Sequence, residues 1–123
     1  MKLENKRKFF KNTLYSKTDI YYRKAKEEGY RARSAYKLMQ IDDEFKIFSN
    51  VQRAVDLCAA PGSWSQVLST KLYESEEERK NTDDCRVVSV DLQEMAPIEG
   101  VTIIQGDITT QATVDKILTI FKG

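Results

Sequence analysis

No histidine occurs anywhere in the 123 residues. That absence removes every Ser-His-Asp or Cys-His triad and every imidazole-ligated metal site. Proton transfer must fall to Lys, Asp, Glu or Tyr. Cysteine is almost as scarce. Cys58 and Cys85 are the two present, too few for a Cys-rich zinc site, and a lone pair in a chain without a secretory signal reads as reduced thiols. No metal site is expected. No uncharged apolar run approaches the roughly 20 residues of a membrane helix. The N-terminus is basic and polar and lacks the apolar core of a signal peptide. These absences predict a cytoplasmic protein that makes no contact with a membrane.

What is present suits one globular domain. Hydrophobic residues supply 41% of the chain and charged residues 32%, which excludes a fibrous chain and argues against wholesale disorder. A chain of this length can bury roughly two-thirds of its unfolded surface. The net charge of +1 conceals an asymmetry. Residues 1–37 hold 12 Lys and Arg against 4 Asp and Glu, a net of +8, whereas residues 38–123 hold 8 against 15, a net of −7. A basic front on an acidic body predicts an anionic partner, most simply nucleic acid. For residues 1–17 taken alone, a solvated tail explains the charge equally well.

Residues 1–18 read as a basic lead-in and residues 19–123 as the folded part. A helix is predicted from an N-cap at Asp19 to a stop at Gly29, and a second one capped by Ser34 with Ala35, Leu38, Met39, Ile41 and Phe45 near helical spacing. The period then changes. Residues 53–57 read as a buried strand that enters a tight turn at Pro61-Gly62, and Ser63 is placed to cap the next helix. Residues 74–85 are acidic and polar and read as an exposed loop. Strands follow at 86–90 and 101–105. A last helix is expected over roughly 110–121, with Val114, Ile117, Leu118 and Phe121 on one face. Short apolar strands alternating with helices predict an α/β fold with a parallel sheet covered on both faces. Three strands make a thin sheet, and the chain stops where a doubly wound fold would enter its next strand, so the sequence is expected to be the front part of something larger.

Three acidic residues stand at strand ends: Asp56, Asp91 and Asp107. Ligands of open parallel sheets bind outside the carboxyl ends of the strands, so these carboxylates should converge on one crevice. Between the first strand and its helix lies Ala59-Ala60-Pro61-Gly62, whose small side chains let a ligand approach the backbone. One carboxylate can accept both hydroxyls of a ribose and another an exocyclic amine, which describes a nucleoside-shaped pocket. Each residue alone is more simply a turn or a cap. Their order on successive strands is what carries the reading. The G-x-G-x-x-G fingerprint of dinucleotide folds is missing.

The stretches YYRKAKEEGYRARSAYKL (21–38), AVDLCAAPGSWSQVL (54–68), VVSVDLQEMAPIEGV (87–101) and QGDIT (105–109) resemble the FtsJ-like RNA ribose 2′-O-methyltransferases. Within that family they are most similar to the eukaryotic tRNA branch, which modifies the anticodon loop. The resemblance implies a Rossmann-like methyltransferase fold with S-adenosylmethionine as cofactor and S-adenosylhomocysteine as product. By position, Gly62 and Trp64 would line the methionine end of the pocket, Asp91 would take the ribose hydroxyls, Asp107 would face the adenine amine, and Asp56 would steer the ammonium. Taken alone, Trp64 also suits a core position. Lys37 matches the first lysine of the family's Lys-Asp-Lys-Glu tetrad, where it could hold the RNA phosphate or ribose and lower the pKa of a neighbouring lysine. Without the resemblance it would be a solvated helix lysine.

The tetrad's other members follow later strands and have no counterpart before Gly123. The resemblance therefore implies a fold truncated after the third strand and its helix, with the first strand left as an unpaired edge, and a 123-residue chain inactive by itself. tRNA is the implied partner, met through basic residues 11–37, among them Lys11, Lys17, Arg23, Lys24, Lys26, Arg31 and Arg33. Tyr21, Tyr22, Tyr30 and Tyr36 interleave with these charges, and at least two of them are expected to pack between the first two helices. An accessory protein subunit is a further partner that fits. Two alternatives stay open: a ribosomal RNA 2′-O-methyltransferase, and a non-catalytic module that binds RNA or cofactor.

Overall fold

Val87-Val88-Ser89-Val90 is the run with the strongest strand preference, because β-branched side chains suit a pleated, buried surface. In the computed structural model, which describes residues 20–122, this run is the centre of the fold. Strand β2 (Val87–Asp91) lies between β1 (Ala54–Leu57) and β3 (Val101–Gln105) in a three-stranded parallel sheet. Ala54 pairs with Val87 and Leu57 with Val90; Val87 pairs with Val101 and Asp91 with Gln105. Because all strands run the same way, their carboxyl ends gather along one rim.

Residues 20–28 are helical (α1), followed by α2 (Ser34–Phe45), α3 (Ser63–Leu72), α4 (Glu76–Lys80) and α5 (Gln111–Lys122). Gly29, at φ +83°, ends α1 as its residue type predicts; Asp19, the expected cap, lies outside the described residues. Side chains alternate across β2. Val87 meets Leu68, Leu72 and Tyr73 on the α3 side, where Ala35 and Leu38 of α2 also pack on Val67. Val88 and Val90 point to the opposite face and meet Ile117, Ile120 and Phe121 of α5.

Several local expectations are corrected. The sheet is not covered evenly: residues 87–90 are buried, but Val55 and Leu57 remain 38% and 53% exposed, because α5 packs over β2 and β3 and β1 is an edge. The buried face of α5 is rotated from the expected one. Thr113, Ile117, Ile120 and Phe121 face the sheet, and Val114 and Leu118 are exposed at 39% and 49%. Gly106 accounts for this, since a Cβ there would sit 2.9 Å from the Thr113 Oγ1, so the helix start seats Thr113 against it. Ser34 and Ser63 cap nothing. Each is the first residue of its helix, and their hydroxyls bond each other at 2.7 Å. Finally, 76–80 is helical where only a loop was expected. Ser75 Oγ accepts the Glu78 N–H at 3.2 Å, and the Glu78 carboxylate accepts the Glu74 N–H at 2.8 Å. Acids fill the first turn and bases the last, matching the helix dipole.

Candidate active site at the strand ends

The chain leaves β1 in a sharp turn. Cys58 adopts φ +59°, and the next two amides are captured by the end of β2: Ala59 N–H donates to the Val90 carbonyl at 3.0 Å and Ala60 N–H to Asp91 Oδ2 at 2.8 Å. This holds the small-residue loop open and leaves a cavity of about 270 Å³. Asp56, Ala59, Ala60, Pro61, Ser34 and Trp64 are among its walls. Trp64 reaches it from the first turn of α3 and is fixed by its indole N–H, which donates to the Ser34 carbonyl at 2.9 Å. The indole thus both walls the cavity and joins α3 to the start of α2.

The three carboxylates differ in environment. Asp56 accepts the Ser65 hydroxyl at 2.6 Å, and Ser65 is also hydrogen-bonded to Ser89 beneath it. Burial raises the Asp56 carboxyl above its ordinary value, with the nearby Asp91 charge adding to the effect. Asp91 is the reverse case. The Gln93 N–H at 2.8 Å and that of Ala60 hold its carboxyl below the ordinary range, so it is ionised at neutral pH. Asp107 is likewise lowered, by the hydroxyl and N–H of Thr109 at 2.6 and 2.8 Å on Oδ1. Its other oxygen takes no hydrogen bond from a described residue. The Gly106 N–H donates to the Asp91 carbonyl at 2.9 Å and ties the ends of β2 and β3 together. Two ionised carboxylates and one partly desolvated carboxyl therefore stand along one rim: Asp56 as the next-to-last residue of β1, Asp91 as the last residue of β2, and Asp107 just beyond β3.

Gly62 lies behind the wall rather than on it. It is buried, with φ +112°, and a Cβ there would stand 2.9 Å from Ile98 Cδ1, 2.9 Å from Met95 Cε and 3.0 Å from Arg31 Nη1. The side where a Cβ would stand is thus filled by the loop after β2 and by Arg31. Gly62→Ala in the full-length protein is expected to cost about 1–3 kcal/mol, chiefly from backbone strain at this positive φ, measured by chemical denaturation.

Lys37 is not in this cavity but next to it. A groove of about 280 Å³ is lined by Tyr21, Arg33, Ser34, Tyr36, Lys37 and Gln40. Ser34 is common to groove and cavity. Neither Arg33 nor Lys37 makes a side-chain hydrogen bond or ion pair with another described residue. Tyr36 is buried beneath them, donates to Glu28 at 2.6 Å, and meets Tyr30 edge-on at 5.7 Å. Burial, then Glu28, pushes its hydroxyl well above the ordinary tyrosine value. Tyr36 is thus packed between Tyr30 and Tyr21, whose ring centroid also lies 5.7 Å away, while Tyr21 and Tyr22 keep exposed surface.

A sequence profile of the FtsJ-like methyltransferases matches residues 30–123. The chain belongs to this family. Similar proteins are the tRNA (cytidine(32)/guanosine(34)-2′-O)-methyltransferase of Homo sapiens, 57% identical over 90% of this chain and 32% of that protein, and its counterpart from Schizosaccharomyces pombe, 53% identical over 85% and 37%. Ribosomal RNA large subunit methyltransferase E of Methanothrix thermoacetophila is 50% identical over 85% of this chain and 37% of its own length. Among solved structures, a Plasmodium falciparum protein described as a ribosomal RNA methyltransferase superposes with a TM-score of 0.56 at 30% identity, covering 75% of this chain and 49% of that one. The chain spans about a third of the length of the curated relatives it matches. FtsJ-like methyltransferases are in general dependent on S-adenosylmethionine. The fold expected of this family chain, α/β with a parallel sheet, is the one observed.

Four wall residues, Ser34, Leu57, Cys58 and Ser63, are not among those the sequence points to. Ser34 suits a helix cap by residue type, and only tertiary placement reveals it as the partition between cavity and groove. Cys58 is exposed on the cavity wall. A non-glycine residue at positive φ after a strand has no sequence signature. Both cysteines are free thiols.

Proposed function

We propose that this chain is the cofactor-binding part of a tRNA ribose 2′-O-methyltransferase acting in the anticodon loop. The observation that carries the reading is the contact of two sites through Ser34: a cavity at the strand ends with the Asp56 carboxyl on its wall, and a groove whose two cations, Arg33 and Lys37, have no side-chain partner among the described residues. One suits a cationic nucleoside, the other an RNA backbone. The choice of tRNA over ribosomal RNA rests on higher identity to the tRNA enzymes, 60% and 57% against 50% and 45%.

The residues present fit S-adenosylmethionine. No lysine or arginine lines the cavity among the described residues, so a pyrophosphate finds no counter-charge there, while carboxylates suit an ammonium and ribose hydroxyls. Asp91 would accept the ribose hydroxyls with lone pairs its backbone donors leave free. Asp107 would accept from the adenine amine through its open oxygen. Asp56 would attract the ammonium, and Trp64 would close the methionine end. Bound there, the cofactor supplies a methyl group already activated on a sulfonium. The protein's task is then to place the acceptor ribose and to exclude water. Lys37, one helical turn from Ser34, is placed to hold that ribose or its phosphate. Tyr21, at the surface of the same groove, offers a face for base stacking.

The full-length protein, incubated with unmodified tRNA and S-adenosylmethionine, should yield 2′-O-methylated anticodon-loop nucleotides by mass spectrometry of nuclease fragments. Methylation of ribosomal RNA alone would favour the ribosomal alternative. Cofactor binding with no methylation of either RNA would favour the non-catalytic module.

A further inference from the structure

Arg31 stands in the short connector between α1 and α2, among the residues whose charge suggests contact with RNA. Its guanidinium is instead spent on the protein. Nη1 donates to the Pro61 carbonyl at 3.0 Å and to the Ala96 carbonyl at 2.7 Å, and Nη2 donates to the Pro97 carbonyl at 2.9 Å. Pro61 belongs to the loop after β1 and walls the cavity. Ala96 and Pro97 belong to the loop after β2. One planar group therefore ties together the two loops that flank the crevice.

The backbone on either side is anchored as well. The Arg31 N–H donates to Gln66 Oε1 at 2.9 Å, and Gln66 Nε2 donates to the Gly29 carbonyl at 3.1 Å, so the connector is fixed to α3. Arg31 Nη1 would stand 3.0 Å from a Cβ on Gly62, so the fork is packed directly against the turn. Carbonyls in irregular loops need donors that regular structure does not supply. Arginine presents five N–H groups in a rigid plane and can serve several carbonyls at once; lysine is a point charge and cannot reproduce that spread.

We propose that Arg31 is a positioning residue for the cofactor crevice: it clamps the loop after β1 to the loop after β2 and sets the separation of the walls between which the nucleoside lies. It is not one of the phosphate contacts. This rests on the cofactor reading above. In chain order the cations of this region then divide by task, with Arg31 serving the cofactor side and Arg33 and Lys37 facing the RNA groove.

The test compares Arg31→Ala, Arg31→Lys and Arg33→Ala in the full-length protein. S-adenosylhomocysteine affinity is measured by calorimetry and tRNA affinity across a salt series. Arg31→Ala should weaken S-adenosylhomocysteine binding at least tenfold, with tRNA affinity within about twofold and an unchanged slope of log affinity against log salt. Arg31→Lys keeps the charge but should not restore cofactor affinity. Arg33→Ala should do the opposite, lowering the salt slope by about one unit with cofactor affinity intact. If the alanine variant does not fold, as judged by its melting curve, Arg31→Lys carries the comparison alone. Cofactor affinity unchanged in Arg31→Ala, or retained in Arg31→Lys, overturns the clamp, and a reduced salt slope in Arg31→Ala returns Arg31 to the phosphate contacts. Wild-type protein that binds no S-adenosylhomocysteine overturns the cofactor reading itself and the clamp with it.

Discussion

Lys37→Ala in the full-length protein is expected to lower turnover at least a hundredfold while tRNA affinity stays within about threefold. Loss of one preorganised charged group at a reacting centre typically costs that much. Loss of one phosphate contact among many costs far less in affinity. Lys37 is exposed on α2 and makes no side-chain hydrogen bond or ion pair with another described residue, so its removal should leave the melting temperature unchanged. The measurement is single-turnover methylation at saturating cofactor, set beside tRNA binding. Equal losses in rate and affinity, or none in either, would return Lys37 to the solvated helix face that lysine ordinarily occupies.

Asp91→Ala should abolish detectable cofactor binding, and Asp91→Asn should weaken it at least tenfold. The carboxylate does two things at once. It holds the Ala60 and Gln93 N–H groups at 2.8 Å each, which shapes both flanking loops, and it would present its remaining lone pairs to ribose hydroxyls. Hydrogen bonds to a charged acceptor are worth about 1.5–3 kcal/mol, and each 1.4 kcal/mol is about a tenfold change in affinity. Asparagine can keep one of the two amide contacts but turns an NH₂ toward the other, so it should fall between wild type and alanine. Calorimetry with S-adenosylhomocysteine reads the result. An unchanged affinity in Asp91→Ala, with only stability reduced, would make Asp91 a loop anchor and nothing more.

Element order, parallel direction and the gathering of Asp56, Asp91 and Asp107 on one rim were legible because they follow from local pattern. Short apolar runs make strands, and an acidic residue near the end of each run stands at the carboxyl end of the sheet. What escaped depends on contacts between distant segments. Arg31 looks like its neighbours Arg23 and Arg33 in sequence. Only the return of the loop carrying Ala96 and Pro97 shows that its charge is used internally. Gly62 marks a tight turn in the sequence, but its positive φ and the side chains of Met95, Ile98 and Arg31 packed around it are visible only in the fold. The α5 face was misplaced because Ile117 and Phe121 fit either a stripe with Leu118 or one with Ile120, and the seat of Thr113 over Gly106 decides between them. The helix at 76–80 has no apolar face to announce it. Its Ser75-x-x-Glu78 pattern was the available signal.

A crystal structure of the full-length protein with S-adenosylhomocysteine tests the site most directly. The expected result places both ribose hydroxyls within hydrogen-bonding distance of Asp91, the adenine amine at Asp107, and the homocysteine end in the cavity beside Trp64 with its sulfur toward Ser34 and the Lys37 groove. A ligand seated away from the strand ends, or one whose ribose faces neither Asp91 nor Asp107, would contradict the assignment of this crevice.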